Sequence, residues 1–318
     1  MKAAVVTEFG LPPHLSEVDE PVATRPDEEI VEVVAAALSP RVRSQAAGSH
    51  YTSTGSLPLI PGIDGVGRRA DGSLVYFLLP DTEKGSMGER VTIDRRRAVS
   101  LPDGADPVLI AAAMNPAMAS WVALRRRVDF AAGGRVVVLG ATGSAGRAAV
   151  QAARRLGASE IVAVGRGAER LEALRTLGAT GIVDLTGAGE VVARRLAESA
   201  AEADVVLDFL WGEPTRSALY AIVPNRARDE QLLTWVQIGS VAGAECAIPS
   251  AALRAVNLRI IGSGQGSVAP RDYRDEIAHL ADEIAGGTFA MPLRTVGLAD
   301  VERAWRDPDT GARIVFVP

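Results

Sequence analysis

Cysteine is nearly absent from this 318-residue chain, and that scarcity excludes much. With Cys246 alone, no disulfide can close within the chain and no cysteine-built zinc site can form. Cys246 reads as a small residue near a strand end. Histidine is confined to His14, His50 and His279, too scattered to suggest a shared metal site. Lysine occurs only at Lys2 and Lys84, so arginine supplies the basic charge. The net charge of −5 leaves no field to recruit nucleic acid or an anionic membrane. Long apolar runs are missing too. The longest uncharged one, Val108 to Leu124, is interrupted by Pro116 and reads as a pair of buried helices, not a membrane span. The opening MKAAVVTEFG is too short an apolar run for a signal peptide, which points to a soluble, cytoplasmic protein.

What the sequence does hold is a change of texture along its length. In the first third, KAAVVTEF, EIVEVVAAALS, GSLVYFLL and GERVTIDRR are short apolar or alternating runs between Gly, Pro and Asp, the pattern of strands. A helical stretch follows from a start signal at Asp106-Pro107. From Gly134 to about Gly262, six apolar runs alternate with helical segments: RVVVLG, EIVAVG, GIVDL, ADVVLDFL, LLTWVQIGS and LRIIGS. Such strands, separated by helices, call for a parallel sheet covered on both faces. The tail adds helices YRDEIAHLADEIAGG and LADVERAWRD and a strand ARIVFVP. It is too short for a core of its own, so the flanks are expected to form one discontinuous domain, 1–116 with 264–318, around a second at 117–263.

The segment VVVLGATGSAGRAAVQAARRLGA, from Val136, sets strand, glycine turn and helix in succession. Gly140, Gly143 and Gly146 would make the turn tight, admit a pyrophosphate close to the backbone and seat the helix on the sheet. With Ala141, Thr142, Ser144 and Ala145 they form the expected phosphate cradle, whose helix-start N–H groups face the anion. The spacing is GxxGxxG, so the six surrounding strands support the reading as much as the glycines do. One strand further on, an acidic residue would hold the ribose 2′-OH of NAD. Gly165 and Arg166 stand there instead, with Arg170 one turn into the next helix. Guanidinium groups suit the 2′-phosphate of NADPH; the plainer reading of Arg166 is a solvated loop residue. Phe209, Gly239, Ser240 and Ser263 follow the ends of the fourth to sixth strands and are placed around the nicotinamide half. Phe209 and Trp211 could instead be core or interface aromatics.

Four segments resemble one family in the right order: LPLIPGIDGVG (57–67), GATGSAGRAAVQAAR (140–154, with Gln151 and Arg154), DVVLDFLWG (204–212) and GARIVFV (311–317). Nearly end to end, the chain resembles the zinc-independent medium-chain dehydrogenase/reductases of the quinone oxidoreductase (ζ-crystallin-like) group. The resemblance implies an α/β fold: a Rossmann doubly wound parallel six-stranded sheet plus a β-rich GroES-like substrate domain. It implies no metal, because the places of the zinc ligands in metal-dependent relatives hold Ser39, Ile63-Asp64 and Met114. It also implies a homodimer paired through the last cofactor-domain strand, about 257–262.

Without a metal to polarise a carbonyl, hydride from NADPH must go to an acceptor that needs less help, a quinone or an α,β-unsaturated carbonyl. Charge then builds on an oxygen that a neutral donor can stabilise. Tyr51, in AGSHYTSTGSLP, is the leading candidate donor, and its other reading is a loop tyrosine packed on the prolines. Asn115 and Ser39 rank second. Ser39 could simply cap a helix started by Pro40, and Asp64 could orient the mouth loop or cap a turn. Asn115-Pro116 resembles the pre-helix pair of enoyl-thioester reductases, although Met118 stands where their Thr is common. Two alternatives therefore stay open. One is a reductase of enoyl thioesters on CoA or a carrier protein, with Arg95–Arg97 or Arg125–Arg127 supplying a basic groove. The other is a non-catalytic NADPH-binding or sensor protein.

Overall fold

The alternating strands near the start of the chain fold as antiparallel β-structure. The computed structural model describes residues 1–50, 52–307 and 311–318. β1 (Lys2–Val5) pairs with β2 (His14–Glu17). β3 (Glu28–Ala37), β4 (Asp64–Arg68), β5 (Leu74–Leu78) and β7 (Ala98–Ser100) lie side by side, and β6 (Arg90–Asp94) pairs with β3. Between β3 and β4, α1 (Pro40–Ala46) begins at a proline in its first turn. β4 is not evident from the sequence because its glycines lack strand propensity. They are there for packing: a β-carbon on Gly67 would stand 2.5 Å from the Val31 side chain.

Pro107–Val122 is one helix, α2, and not the expected pair; it runs on into a π-helical turn at Ala123–Arg127. Pro116 stays inside it. A proline in a helix interior costs about 3 kcal/mol, but Ile110, Met114, Met118 and Trp121 are all buried. Each such side chain returns about 1.5–3 kcal/mol on leaving water, so packing wins. By length and composition the stretch could cross a membrane, yet 72% of its apolar window is buried inside the protein, as in a core helix.

The next segment alternates as anticipated. In chain order come β8 (Arg135–Leu139), α3 (Ser144–Arg155), β9 (Glu160–Gly165), α4 (Ala168–Glu172), β10 (Gly181–Asp184) and α5 (Gly189–Ala200). They are followed by β11 (Val205–Asp208), α6 (Gly212–Ile222), β12 (Leu233–Gln237), α7 (Ala252–Ala255) and β13 (Leu258–Gly262). All six strands are parallel, in the order β10-β9-β8-β11-β12-β13. Val136, Val138, Ile161, Ala163, Val205 and Leu207 feed one core, while Val137, Leu139, Val162, Val164 and Val206 feed another on the opposite face. That is the doubly wound α/β arrangement. Strand order reverses between β8 and β11, the place where such sheets open a ligand crevice beyond their carboxyl ends.

The tail supplies α8 (Pro270–Ala285), β14 (Leu293–Gly297), α9 (Val301–Arg306) and β15 (Arg313–Val317). β15 adds antiparallel to β3, and β14 lies parallel to β15. The chain divides into two compact units, Met1–Asn115 with Arg274–Gly287 and Met291–Pro318, and Pro116–Tyr273 with Thr288–Ala290. The division departs from 116/117 and 263/264 where hydrogen bonds hold the chain to the parallel sheet. Ser263 N–H donates to Gln237 O at 2.9 Å, prolonging β13. Gln151 accepts from Ala290 N at 2.7 Å and donates to Ala290 O at 3.1 Å, tying that residue to α3.

Candidate functional site

The glycine turn closes β8. Gly140 has φ +88°, a conformation that favours glycine. A β-carbon on Gly146 would stand 2.2 Å from Gly140 O, so only glycine lets α3 start this close to the strand. Gly143 meets nothing nearer than 3.6 Å, which leaves its backbone open to a ligand. The start of α3 at Gly143 has no side-chain cap, so the N–H groups of Ser144, Ala145 and Gly146 are left for an anion. Ala141 contributes by position, since its N–H donates to Val164 O at 2.9 Å. These residues fit a dinucleotide pyrophosphate.

The other expected cofactor residues come to the same edge of the parallel sheet. Gly165 ends β9 against Thr142, whose Cγ2 lies 3.0 Å from where a β-carbon on Gly165 would be. Arg166 is exposed, and Arg170 lies back against Gly167. No carboxylate ends β9. Asp184, ending the neighbouring β10, is engaged by its own loop: Thr186 N–H donates to it at 2.9 Å. That bond, with one from the Gly167 N–H, holds its carboxyl below the ordinary value. Gly239 N–H donates to Asp208 O, and Ser240 is exposed. Phe209 is packed into the core beneath the turn.

After Phe209, Leu210 and Trp211 are both partly exposed, and Trp211 stands at φ 57° and ψ −168°. It is the one non-glycine residue at positive φ among the described residues. That region belongs almost wholly to glycine, and an occupant with a side chain costs about 1–3 kcal/mol. Asp208, fully buried at the end of β11, holds the strained turn. Its carboxylate accepts from Leu210 N at 2.9 Å, Trp211 N at 3.0 Å, Thr215 Oγ1 at 2.6 Å and Trp235 Nε1 at 2.9 Å. In the sequence Asp208 figures only as part of the DVVLDFLWG pattern; a lone carboxylate ending an apolar strand is the signal that marks it.

In the other unit, a second buried carboxylate gathers the remaining candidates. Asp64 lies within β4, not in a turn, and is buried. Tyr76 Oη donates to it at 2.6 Å, and the Asn115 side chain hydrogen-bonds to it as well. Burial pushes its carboxyl above the ordinary value, while Tyr76, Arg313, Arg41 and Asn115 pull the other way. Arg313 is itself buried, with Nε and Nη2 lacking hydrogen-bond partners. Sequence reasoning misses Tyr76 and Arg313, because β-strand pattern alone does not reveal which polar side chains meet. Ser39 is buried at the start of α1, and its Oγ accepts from Val42 N at 3.1 Å, the local capping role. Tyr51 lies outside the described residues. Among the described residues no three His, Cys, Asp or Glu side chains gather as a metal site. Burial pushes the Cys246 thiol up, opposite to what a nucleophile needs.

The arginine runs have local employment. Arg96 pairs with Asp94 at 2.7 Å and Asp27 at 3.3 Å, and Arg95 with Glu29 at 3.5 Å. Arg125 stacks over Trp121 at 5.2 Å, and Arg127 Nε donates to Gly262 O at 3.1 Å.

Comparison with known proteins gives this architecture a family. Residues 145–282 match the zinc-binding dehydrogenase family model. Over the whole of both chains, the protein is 31% identical to a protein of Emericella nidulans named as a probable NADPH-dependent quinone reductase. It is 26% identical to a phenolphthiocerol/phthiocerol polyketide synthase chain of Mycobacterium tuberculosis, with all of this chain covering 15% of that protein. The solved quinone oxidoreductase of Thermus thermophilus, studied also with NADPH, aligns with all of this chain and all of its own at 25% identity and TM-score 0.79. The chain therefore belongs to the medium-chain dehydrogenase/reductase family, in its quinone oxidoreductase group.

Proposed function

We propose that the protein is an NADPH-dependent oxidoreductase that reduces quinones or α,β-unsaturated carbonyls without a metal. The observation that supports this most is the glycine turn from Gly140 to Gly146, with its uncapped helix start, followed by Arg166 at the end of β9, where an NAD site would have a carboxylate, and Arg170 in α4. NADPH supplies the hydride when bound. The chain's part is to grip the 2′-phosphate through Arg166, to seat the pyrophosphate on α3, and to stabilise the developing oxyanion with a neutral donor. Tyr51 is the proposed donor of that hydrogen bond or proton, with Asn115, oriented by Asp64, as the second donor. Ser39 serves chiefly by capping α1.

The enoyl-thioester alternative draws on the polyketide synthase likeness, but both arginine runs are engaged locally, which leaves its basic groove weakly supported. The test is NADPH oxidation against a panel of quinones, enones and crotonyl-CoA. Turnover is expected with the first two classes; no turnover with any acceptor would leave only NADPH binding. Arg166→Asp should shift preference toward NADH by about tenfold or more, the loss of one charged hydrogen-bond pair, and unchanged NADPH affinity would remove Arg166 from the site. The open edge of the parallel sheet, β13 with half-exposed Ile260 and Ile261, supports pairing of two copies. Sedimentation that gives a monomer would end that reading.

A further inference from the structure

Four tryptophans occur in the chain, and three have an evident structural employment. Trp235 is fully buried and donates to Asp208 at 2.9 Å. Trp121 is buried, with Phe289 edge-on at 6.3 Å and Arg125 over its face. Trp305 packs against the core of its unit, under Arg43 at 5.3 Å. Trp211 is different. Like Trp305 it is partly exposed, but among the described residues no aromatic ring or cation stacks on its ring. It also occupies a backbone conformation that glycine would adopt without strain, in a turn held by two N–H bonds to Asp208. Such strain marks a position whose side chain serves something other than stability.

Its place in the fold says what. β8 and β11 are neighbours at the reversal of strand order, and the turns that follow them flank the ligand crevice. A β-carbon on Gly140, at the mouth of the phosphate turn, would stand 3.0 Å from Leu210. The loop after β12 closes the other side: a β-carbon on Gly212 would meet Ala242 O at 3.0 Å. Trp211 is thus anchored between the cofactor turn and the third loop of the same crevice.

We propose that Trp211 is the acceptor-specificity residue, a rigid aromatic wall against which a planar, conjugated acceptor such as a bicyclic quinone stacks. The inference rests on the NADPH-dependent reductase reading and narrows its substrate class. A flat quinone presents a π-face to the indole, whereas a small acyclic enone offers little surface to stack. The left-handed backbone fixes where the indole leaves the chain, so its ordering is completed before the acceptor arrives.

The test uses full-length protein loaded with NADP⁺, which cannot deliver hydride, so 1,4-naphthoquinone forms a dead-end complex. In the wild type, naphthoquinone should quench indole emission saturably. Trp211→Phe should bind within about threefold but lose most of the quenching, and Trp211→Gly should bind about tenfold more weakly. With NADPH, the ratio of kcat/KM for naphthoquinone to that for but-3-en-2-one should fall about tenfold in Trp211→Gly and hold in Trp211→Phe. Glycine suits this backbone, so Trp211→Gly should fold and melt above Trp211→Ala. The proposal is overturned if Trp211→Gly changes neither the dead-end affinity nor the ratio. It is overturned too if NADPH affinity falls by the same factor, which would make the indole a wall for the cofactor. Trp211-dependent quenching in a wild type that oxidises NADPH with no acceptor would sink the reductase reading and leave this contact standing.

Discussion

The two units each contain a buried carboxylate at a strand, and the two are used in opposite ways. Asp208 ends β11 and accepts four hydrogen bonds from neutral donors, two of them backbone N–H groups of the turn that follows. It fixes main chain. Asp64 lies within β4 and meets Tyr76 of the adjacent strand β5, Asn115 and the charge of Arg313, all of them side chains. It fixes side chains. The parallel sheet delivers its ligand-binding groups as loops beyond strand ends, so the carboxylate there holds a loop. The antiparallel sheet of the other unit brings together groups far apart in sequence, so its carboxylate holds a cluster.

Deleting either carboxylate gives the largest expected effect. Asp208→Ala strands four donors, and Asp64→Ala strands two and leaves Arg313 buried without its counter-charge. Each should lower stability in denaturant unfolding by about 3–5 kcal/mol. The comparison breaks if one of them is nearly neutral.

The second-site changes that relieve the damage should differ. Adding Trp211→Gly to Asp208→Ala removes a strained turn that no longer has its anchor, while adding Arg313→Met to Asp64→Ala removes the uncompensated charge. Double-mutant cycles should give couplings of about 0.5–3 kcal/mol for these two pairs and near zero for the crossed pairs. Asp64 should also show in the pH dependence. Because burial raises its carboxyl, folding favours the protonated form. The stability that form brings is fully present below the unfolded value near 3.8 and is lost as pH rises through the folded value. Stability of the wild type relative to Asp64→Asn should therefore fall from about pH 4 upward. A flat difference would mean that Arg313 and Tyr76 balance burial, and a rise with pH would mean that they outweigh it.

The same contrast explains what is legible in the sequence. The six parallel strands can be read there because each is a near-continuous run of Val, Ile and Leu bounded by helices. Gly140 to Gly146 can be read because turn, approach and helix start each need glycine within one short segment. The meeting of Tyr76, Arg313 and Asp64 cannot, since they come from three strands and nothing local marks it. α2 reads as two helices because the rule that proline breaks helices is local, and burial of Trp121 and Met118 overrides it. Trp211 is visible as a residue, but nothing in DVVLDFLWG announces that its backbone is left-handed.

The smallest expected effect probes the carboxylates one bond at a time. Tyr76 Oη to Asp64 and Thr215 Oγ1 to Asp208 are both O–H···O bonds of 2.6 Å between buried groups. Tyr76→Phe and Thr215→Val remove these two hydroxyls while nearly keeping shape. After Thr215→Val, Asp208 retains three donors at 2.9–3.0 Å. The loss should be about 1 kcal/mol, the net worth of an ordinary buried hydrogen bond. After Tyr76→Phe, Asp64 keeps the Asn115 amide and a guanidinium charge. A more poorly solvated carboxylate should cost about 2 kcal/mol, within the range for hydrogen bonds to charged groups. The difference should shrink as pH falls through the raised folded value of Asp64, where the carboxyl gains its proton and bears no charge to solvate. If Thr215→Val proved the costlier at neutral pH, four neutral donors around Asp208 would be acting as one cooperative network, and counting donors would be the wrong measure of what each carboxylate holds.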